Sequence, residues 1–166
     1  MKNQLFSEES IKSYSKSLAK ELLSAAAGKK HPYMLFSEED IPSLRKKTDS
    51  GVSKKAFSRM RSTADVYLSK SGVLTPSLHP AIGRYFQSRF AYLSLTGVIT
   101  GDGKYSDKAT SMAVEAIESG NMDMYYKFNN ALSVGDFAHA YALAYDLLYD
   151  RFTEEQRAAL RRTMEE

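Results

Sequence analysis

The 166-residue chain is 43% hydrophobic and 26% charged, a balance that fits one folded domain with a buried core and excludes a disordered tail. Its 23 basic and 20 acidic residues leave a net charge of +3, short of the concentrated positive field of a nucleic-acid binder, so nucleic acid is not an expected partner. With no cysteine, disulfides, thiol nucleophiles and thiolate metal sites are excluded, and no apolar run is long enough to predict a membrane span.

The pattern predicts helix after helix and no strand. Residues 8–27 form the first, with Ile11, Tyr14, Leu18, Leu22 and Ala25 on one stripe, Ser7 as cap and Gly28 as stop. Glu8, Glu9, Lys12, Lys16, Lys20 and Glu21 break any signal-peptide core there. Ser37 caps a short acid-headed helix that fades near Asp49-Ser50-Gly51. The next helix, 52–70, sets Phe57, Met60, Ala64, Tyr67 and Leu68 on one face, with Lys54, Lys55, Arg59 and Arg61 over much of the rest.

Ser71–His79 reads as a loop, and Pro80 opens a helix to about Thr100. After the turn at Gly101-Asp102-Gly103, Ser106 is the expected cap of a helix at 107–119. A second loop runs from Gly120 to about Leu132, and Ser133 caps a helix to about Arg151. Thr153-Glu154-Glu155-Gln156 is a capping box that begins a last helix. That helix carries no stop signal before Glu166, so a further segment is expected beyond it.

The helices at 52–70 and 107–119 are amphipathic, whereas those at 81–100 and 133–151 are apolar nearly all round and need partners on more than one side. Outer and inner helices thus alternate, as in a double-layered helical toroid or a helical solenoid. The outer-to-inner loops are the long ones, so they should gather on one rim, where ligand-binding residues usually ride.

Two stretches carry a family resemblance: His31–Leu44, HPYMLFSEEDIPSL, and Tyr141–Leu160, YALAYDLLYDRFTEEQRAAL. Leu95–Ala109 adds a weaker piece, with Val98–Thr100 inserted. In order and spacing they resemble the start of the helical domain of heparinase II/III-like and alginate-type polysaccharide lyases. The family's tryptophan in its Tyr-Asp-Trp-Leu phrase is Leu147 here, an apolar replacement. Residues 1–30 lie outside the resemblance, and 31–166 form the part that it covers.

The resemblance implies an all-α, incomplete α/α toroid of helical hairpins, followed in the family by more helices and a β-sandwich. It also implies β-elimination of uronic-acid-containing polysaccharides. A neutralised carboxylate acidifies the neighbouring C–H, a Tyr or His removes the proton, and a Tyr protonates the leaving oxygen. The family's catalytic motifs have no match in 1–166, so no catalytic residue, metal ligand or cofactor is assigned and the chain alone is expected to be inactive. An acidic polysaccharide is the implied partner, a periplasmic or secreted address is implied, and uncovered inner helices would favour self-association. The alternative is a non-catalytic helical module that binds carbohydrate or protein.

Candidate glycan contacts are Tyr125, Tyr126, Lys127, Asn129 and Asn130 in the second long loop, where rings stack on sugars and amides bond hydroxyls. The other and favoured reading is an ordinary polar loop whose asparagines satisfy turns. His79 closes the first long loop on the same rim. His139 with Asp136, and His31 beside Pro32, read as structural contacts. Arg84 and Arg89 could reach an acidic sugar or pair with Asp136, Asp146 or Asp150, and pairing is the favoured reading because buried charges need partners. Asp146 and Asp150 suit a salt bridge or helix cap better than a metal site.

Overall fold

The computed structural model describes residues 28–71, 82–120 and 131–165, together with Ser17, Glu21 and Ser24. The chain divides into two compact units, 1–30 and 31–166. In the first, Ser17, Glu21 and Ser24 are helical and exposed, and all three stand off the apolar stripe expected for that helix.

In the second unit a 3-10 turn, Glu38–Asp40, leads into α1 (Ile41–Lys47). Then come α2 (Gly51–Tyr67), α3 (Ile82–Thr100), α4 (Gly103–Glu118) and α5 (Ala131–Leu147). A 3-10 turn at Tyr149–Arg151 precedes α6 (Glu154–Glu165). No described residue is in a strand. No described helix is long and apolar enough to cross a membrane.

The expected caps hold at some ends and fail at others. At Ser37 the backbone N–H and the hydroxyl both donate to the Asp40 carboxylate, at 2.9 and 2.8 Å, which holds that carboxyl below its usual range. At Thr153 the box closes reciprocally: its N–H donates to Gln156 Oε1 at 3.0 Å, and the Gln156 N–H to Thr153 Oγ1 at 3.2 Å. Ser106 is not the cap of α4. Gly101, at φ +73°, ends α3, and Asp102 takes the cap position at once by accepting from the Lys104 N–H at 3.2 Å. Ser106 is instead buried inside α4 against Gly97 of α3. Ser133 likewise lies inside α5, which begins at Ala131 and stops at Leu147 rather than at Arg151. The expected starting proline, Pro80, lies outside the described residues.

α3 and α5 make the interior, and they run parallel. Gly83 lies against Ser133 and Asp136, Phe86 against Phe137, and Gln87 against His139, so both sequences ascend together along the contact. At the closest approach a Cβ on Gly83 would stand 2.7 Å from the Ser133 Cα, a separation that only glycine permits without moving a backbone. The neighbours run the other way. Ser71 and Tyr67, at and beyond the end of α2, meet Arg89 and then Tyr92 of α3. Tyr149 and Tyr145 meet Arg157 and then Arg161 of α6.

Phe86 is the hub of the core, with ring centroids 4.7 Å from Phe90, 4.7 Å from Phe137 and 5.8 Å from Tyr141. All four rings are fully buried. On α2 only Ala64 is buried, and α4 buries one face, with Tyr105, Ala109, Met112, Ala113 and Ala116. The amphipathic pair therefore sheathes the apolar pair, as the periodicity predicts. At the far end Arg45 donates to the last carbonyls of α3, Ile99 at 2.6 Å and Val98 at 3.3 Å, placing its cation at the negative end of the helix dipole.

One buried group works against stability. The Ser94 hydroxyl lies in the interior of α3 with no hydrogen-bond partner among the described residues. Ser94→Ala removes a desolvated hydroxyl and raises helix propensity, so urea unfolding should show equal or higher stability, by up to about 1 kcal/mol. A loss of that size would show that the hydroxyl has a use.

Candidate functional site

Asp146 is the most heavily used polar side chain of the interior. It lies near the end of α5, 1% exposed. His31 Nδ1 donates to its Oδ1 at 2.8 Å. The Tyr33 N–H bonds the same carboxylate at 3.0 and 3.2 Å, and the Met34 N–H at 3.0 Å. One carboxylate thus satisfies two backbone donors and a ring in a segment more than a hundred residues away. The sequence expectation that Asp146 forms an inter-helix salt bridge or cap is corrected: it anchors a connecting segment.

Aromatic rings close the clasp. The His31 ring stacks on Tyr149, centroids 4.1 Å apart and planes at 11°, and meets Tyr145 edge-on at 5.5 Å. Burial, with the Asp146 charge beside it, pushes the Tyr33 phenol up. Arg157 lies over the Tyr149 ring at 4.6 Å and donates to the carbonyls of Tyr149 and Phe152 at 3.0 and 2.7 Å. Arg161 donates to the Tyr145 hydroxyl at 2.7 Å. Both arginines also hold Glu154, whose carboxyl sits below the usual range because of their hydrogen bonds. His31 is structural, as expected, and its anchoring role explains why.

At the opposite end of the interior the parallel helices α3 and α5 both begin, at Ile82 and Ala131. There Tyr85 is 57% and Leu132 68% exposed. Arg84 is also exposed, one residue from Tyr85 and one turn from Gln87, whose amide meets His139 Nδ1 across the helix pair. This end offers a guanidinium for a carboxylate, an aromatic face for a sugar ring, and amide and imidazole donors for hydroxyls. Tyr85 and Gln87 escape the sequence reading because they sit on a helix read as wholly interior.

The expected glycan contacts Tyr125, Tyr126, Lys127, Asn129, Asn130 and His79 lie outside the described residues. His139 meets Gln87 rather than Asp136. The expected pairing of Arg84 and Arg89 with aspartates is also corrected. Arg89 donates to the Ser71 carbonyl at 3.2 Å, while Arg84 stays in solvent and needs no partner. Asp150 lines a cleft of about 300 Å³ with His31, Tyr149 and Arg151 at the clasp end. A second cleft, about 410 Å³, runs between α4 and α6 past Val114, Ile117, Phe152 and Leu160. No described acidic or histidine cluster has the make-up of a metal site. Compared with family models, with characterised proteins and with solved structures, the chain has no match.

Proposed function

We propose that residues 31–166 are the helical, cleft-shaping part of a polysaccharide lyase resembling the heparinase II/III type, acting on a uronate-containing glycan by β-elimination. The single observation that carries the reading is the clasp. The two stretches on which the resemblance rests, His31–Leu44 and Tyr141–Leu160, meet around Asp146, with His31 and the amides of Tyr33 and Met34 all bonded to it. Phrases that share one structural job explain why both occur in one chain at this spacing.

The hairpin order adds support. Parallel inner helices, each flanked by an antiparallel outer one, suit a toroid and equally a solenoid. In either, the starts of α3 and α5 frame a common rim. The glycan's place, on this reading, is that rim. Its carboxylates face Arg84 and Lys127, its rings Tyr85, Tyr125 and Tyr126, and its hydroxyls Asn129, Asn130 and His79. The chain binds and orients, and no residue of it is assigned to the proton transfers.

Calorimetric titration with a tetrasaccharide of a uronic acid tests the reading. Wild type should bind, and Tyr126→Ala with Asn130→Ala should weaken binding by about tenfold or more, the equivalent of about 1.4 kcal/mol. Unchanged affinity in the double variant removes the rim assignment. No binding by wild type favours a non-catalytic scaffold instead.

A further inference from the structure

We infer that the exposed outer face of α1 and α2 is a second, charge-driven docking surface for a long acidic polysaccharide, apart from the rim; this rests on the acidic-glycan reading above. Between Ile41 and Tyr67 the sequence holds seven cationic residues and two acids, Asp49 and Asp65. The chain's net charge is only +3, so the charge of the other residues sums to a negative value. The asymmetry is local and strong.

Folding does not explain all of these cations. Arg45 is engaged at the end of α3, and a hydrogen bond with Tyr105 raises the Arg61 pKa. Lys46, Lys54, Lys55 and Arg59 are exposed, and their side chains form no ion pair or hydrogen bond among the described residues, while the exposed Lys47 acts through its charge on Asp40 and helps to lower that carboxyl. Lys54 closes the first turn of α2 and Lys55 follows it, near the positive end of the helix dipole, where cations are unfavourable. That turn has no acid and no side-chain cap bond, unlike α6, which opens on Glu154 and Glu155. Negative charge from a ligand reverses this repulsion.

The face also favours one polyanion over another. Arg59 lies one turn beyond Lys55, and Ser58 and Ser62 lie between the flanking cations, adding hydroxyls to the charges. No aromatic residue of α1 or α2 is exposed, so the unpaired bases of a single strand have no stacking platform here. Spaced carboxylates and hydroxyls of a uronate polymer match what the face presents.

The test compares polygalacturonate, a short DNA duplex and the uronate tetrasaccharide as probes at low ionic strength, with wild type and Lys54→Glu/Lys55→Glu/Arg59→Glu. Wild type should bind the polymer, with affinity falling as salt rises. The triple variant should lose about tenfold or more in polymer affinity and keep its tetrasaccharide affinity. Lys54→Arg/Lys55→Arg should bind the polymer as wild type does, and circular dichroism should show all variants equally folded. Polymer affinity unchanged in the triple variant, no polymer binding by wild type, or tighter binding of the duplex through these residues overturns the inference. Failure of the tetrasaccharide alone counts against the rim reading, because the polymer arm reads α2 separately.

Discussion

Asp146→Ala is expected to destabilise the 31–166 unit by about 3 kcal/mol, in urea unfolding at neutral pH. The carboxylate is 1% exposed and holds His31 and the amides of Tyr33 and Met34. Truncation leaves these donors without their acceptor, where desolvation makes an unmet hydrogen bond most costly. Asp146→Asn keeps one acceptor oxygen and should fall between wild type and Asp146→Ala. His31→Ala should cost less on its own, and the double variant should cost less than the sum of the two, because the residues share one interaction. Amide exchange gives a local check: Tyr33 and Met34 should be protected in wild type and exchange freely in Asp146→Ala. A cost under about 1 kcal/mol, with protection retained, would mean that the segment is held by other contacts.

Phe86→Ala is the second large effect, at about 3–5 kcal/mol. Its ring is fully buried and touches Phe90, Phe137 and Tyr141, so removal leaves a cavity between the two interior helices. The close approach at Gly83 fixes the helix spacing and limits collapse into that space. Against a typical domain stability of about 5–15 kcal/mol, this loss removes a large share. Phe86→Leu fills most of the volume and should cost clearly less, with both effects read from urea midpoints at constant slope. Equal costs for Ala and Leu would show that cavity volume does not govern the site.

Much of the helical order is legible in the sequence because it rests on local chemistry. Val134, Phe137, Ala138, Tyr141, Ala142, Ala144, Tyr145 and Leu147 recur too densely for a surface helix, and Thr153 with Gln156 announces its own cap. Ends decided by competition between neighbours are harder. Ser106 is a good cap by residue type, but Asp102 follows the break at Gly101 directly and wins. The stop after Leu147 carries no Gly or Pro signal. The chain turns there while Arg157, from the next helix, takes the carbonyls of Tyr149 and Phe152.

The clasp is a different kind of omission. No periodicity links His31 to Asp146, and the only hint is that each stands in one of the two family-like phrases. Arg84 and Arg89 mislead because apolar neighbours suggest burial, whereas Arg84 is exposed and Arg89 finds a backbone carbonyl at the end of its reach. For the rim, the alternation of outer and inner helices already implies that α3 and α5 run parallel, as they do, but not which of their side chains stay exposed, which is a tertiary fact. Tyr85 and Leu132 become candidate contacts only once that exposure is known.

The proposed rim would hold an acidic glycan where α3 and α5 begin together. The most direct measurement is an amide chemical-shift map of the isotopically labelled chain, titrated with the uronate tetrasaccharide. Saturable shifts should centre on 121–130, on the residues around His79, and on the first turns of α3 and α5 near Arg84, Tyr85 and Leu132. Shifts confined to the cleft between α4 and α6, or absent throughout, would contradict the claim.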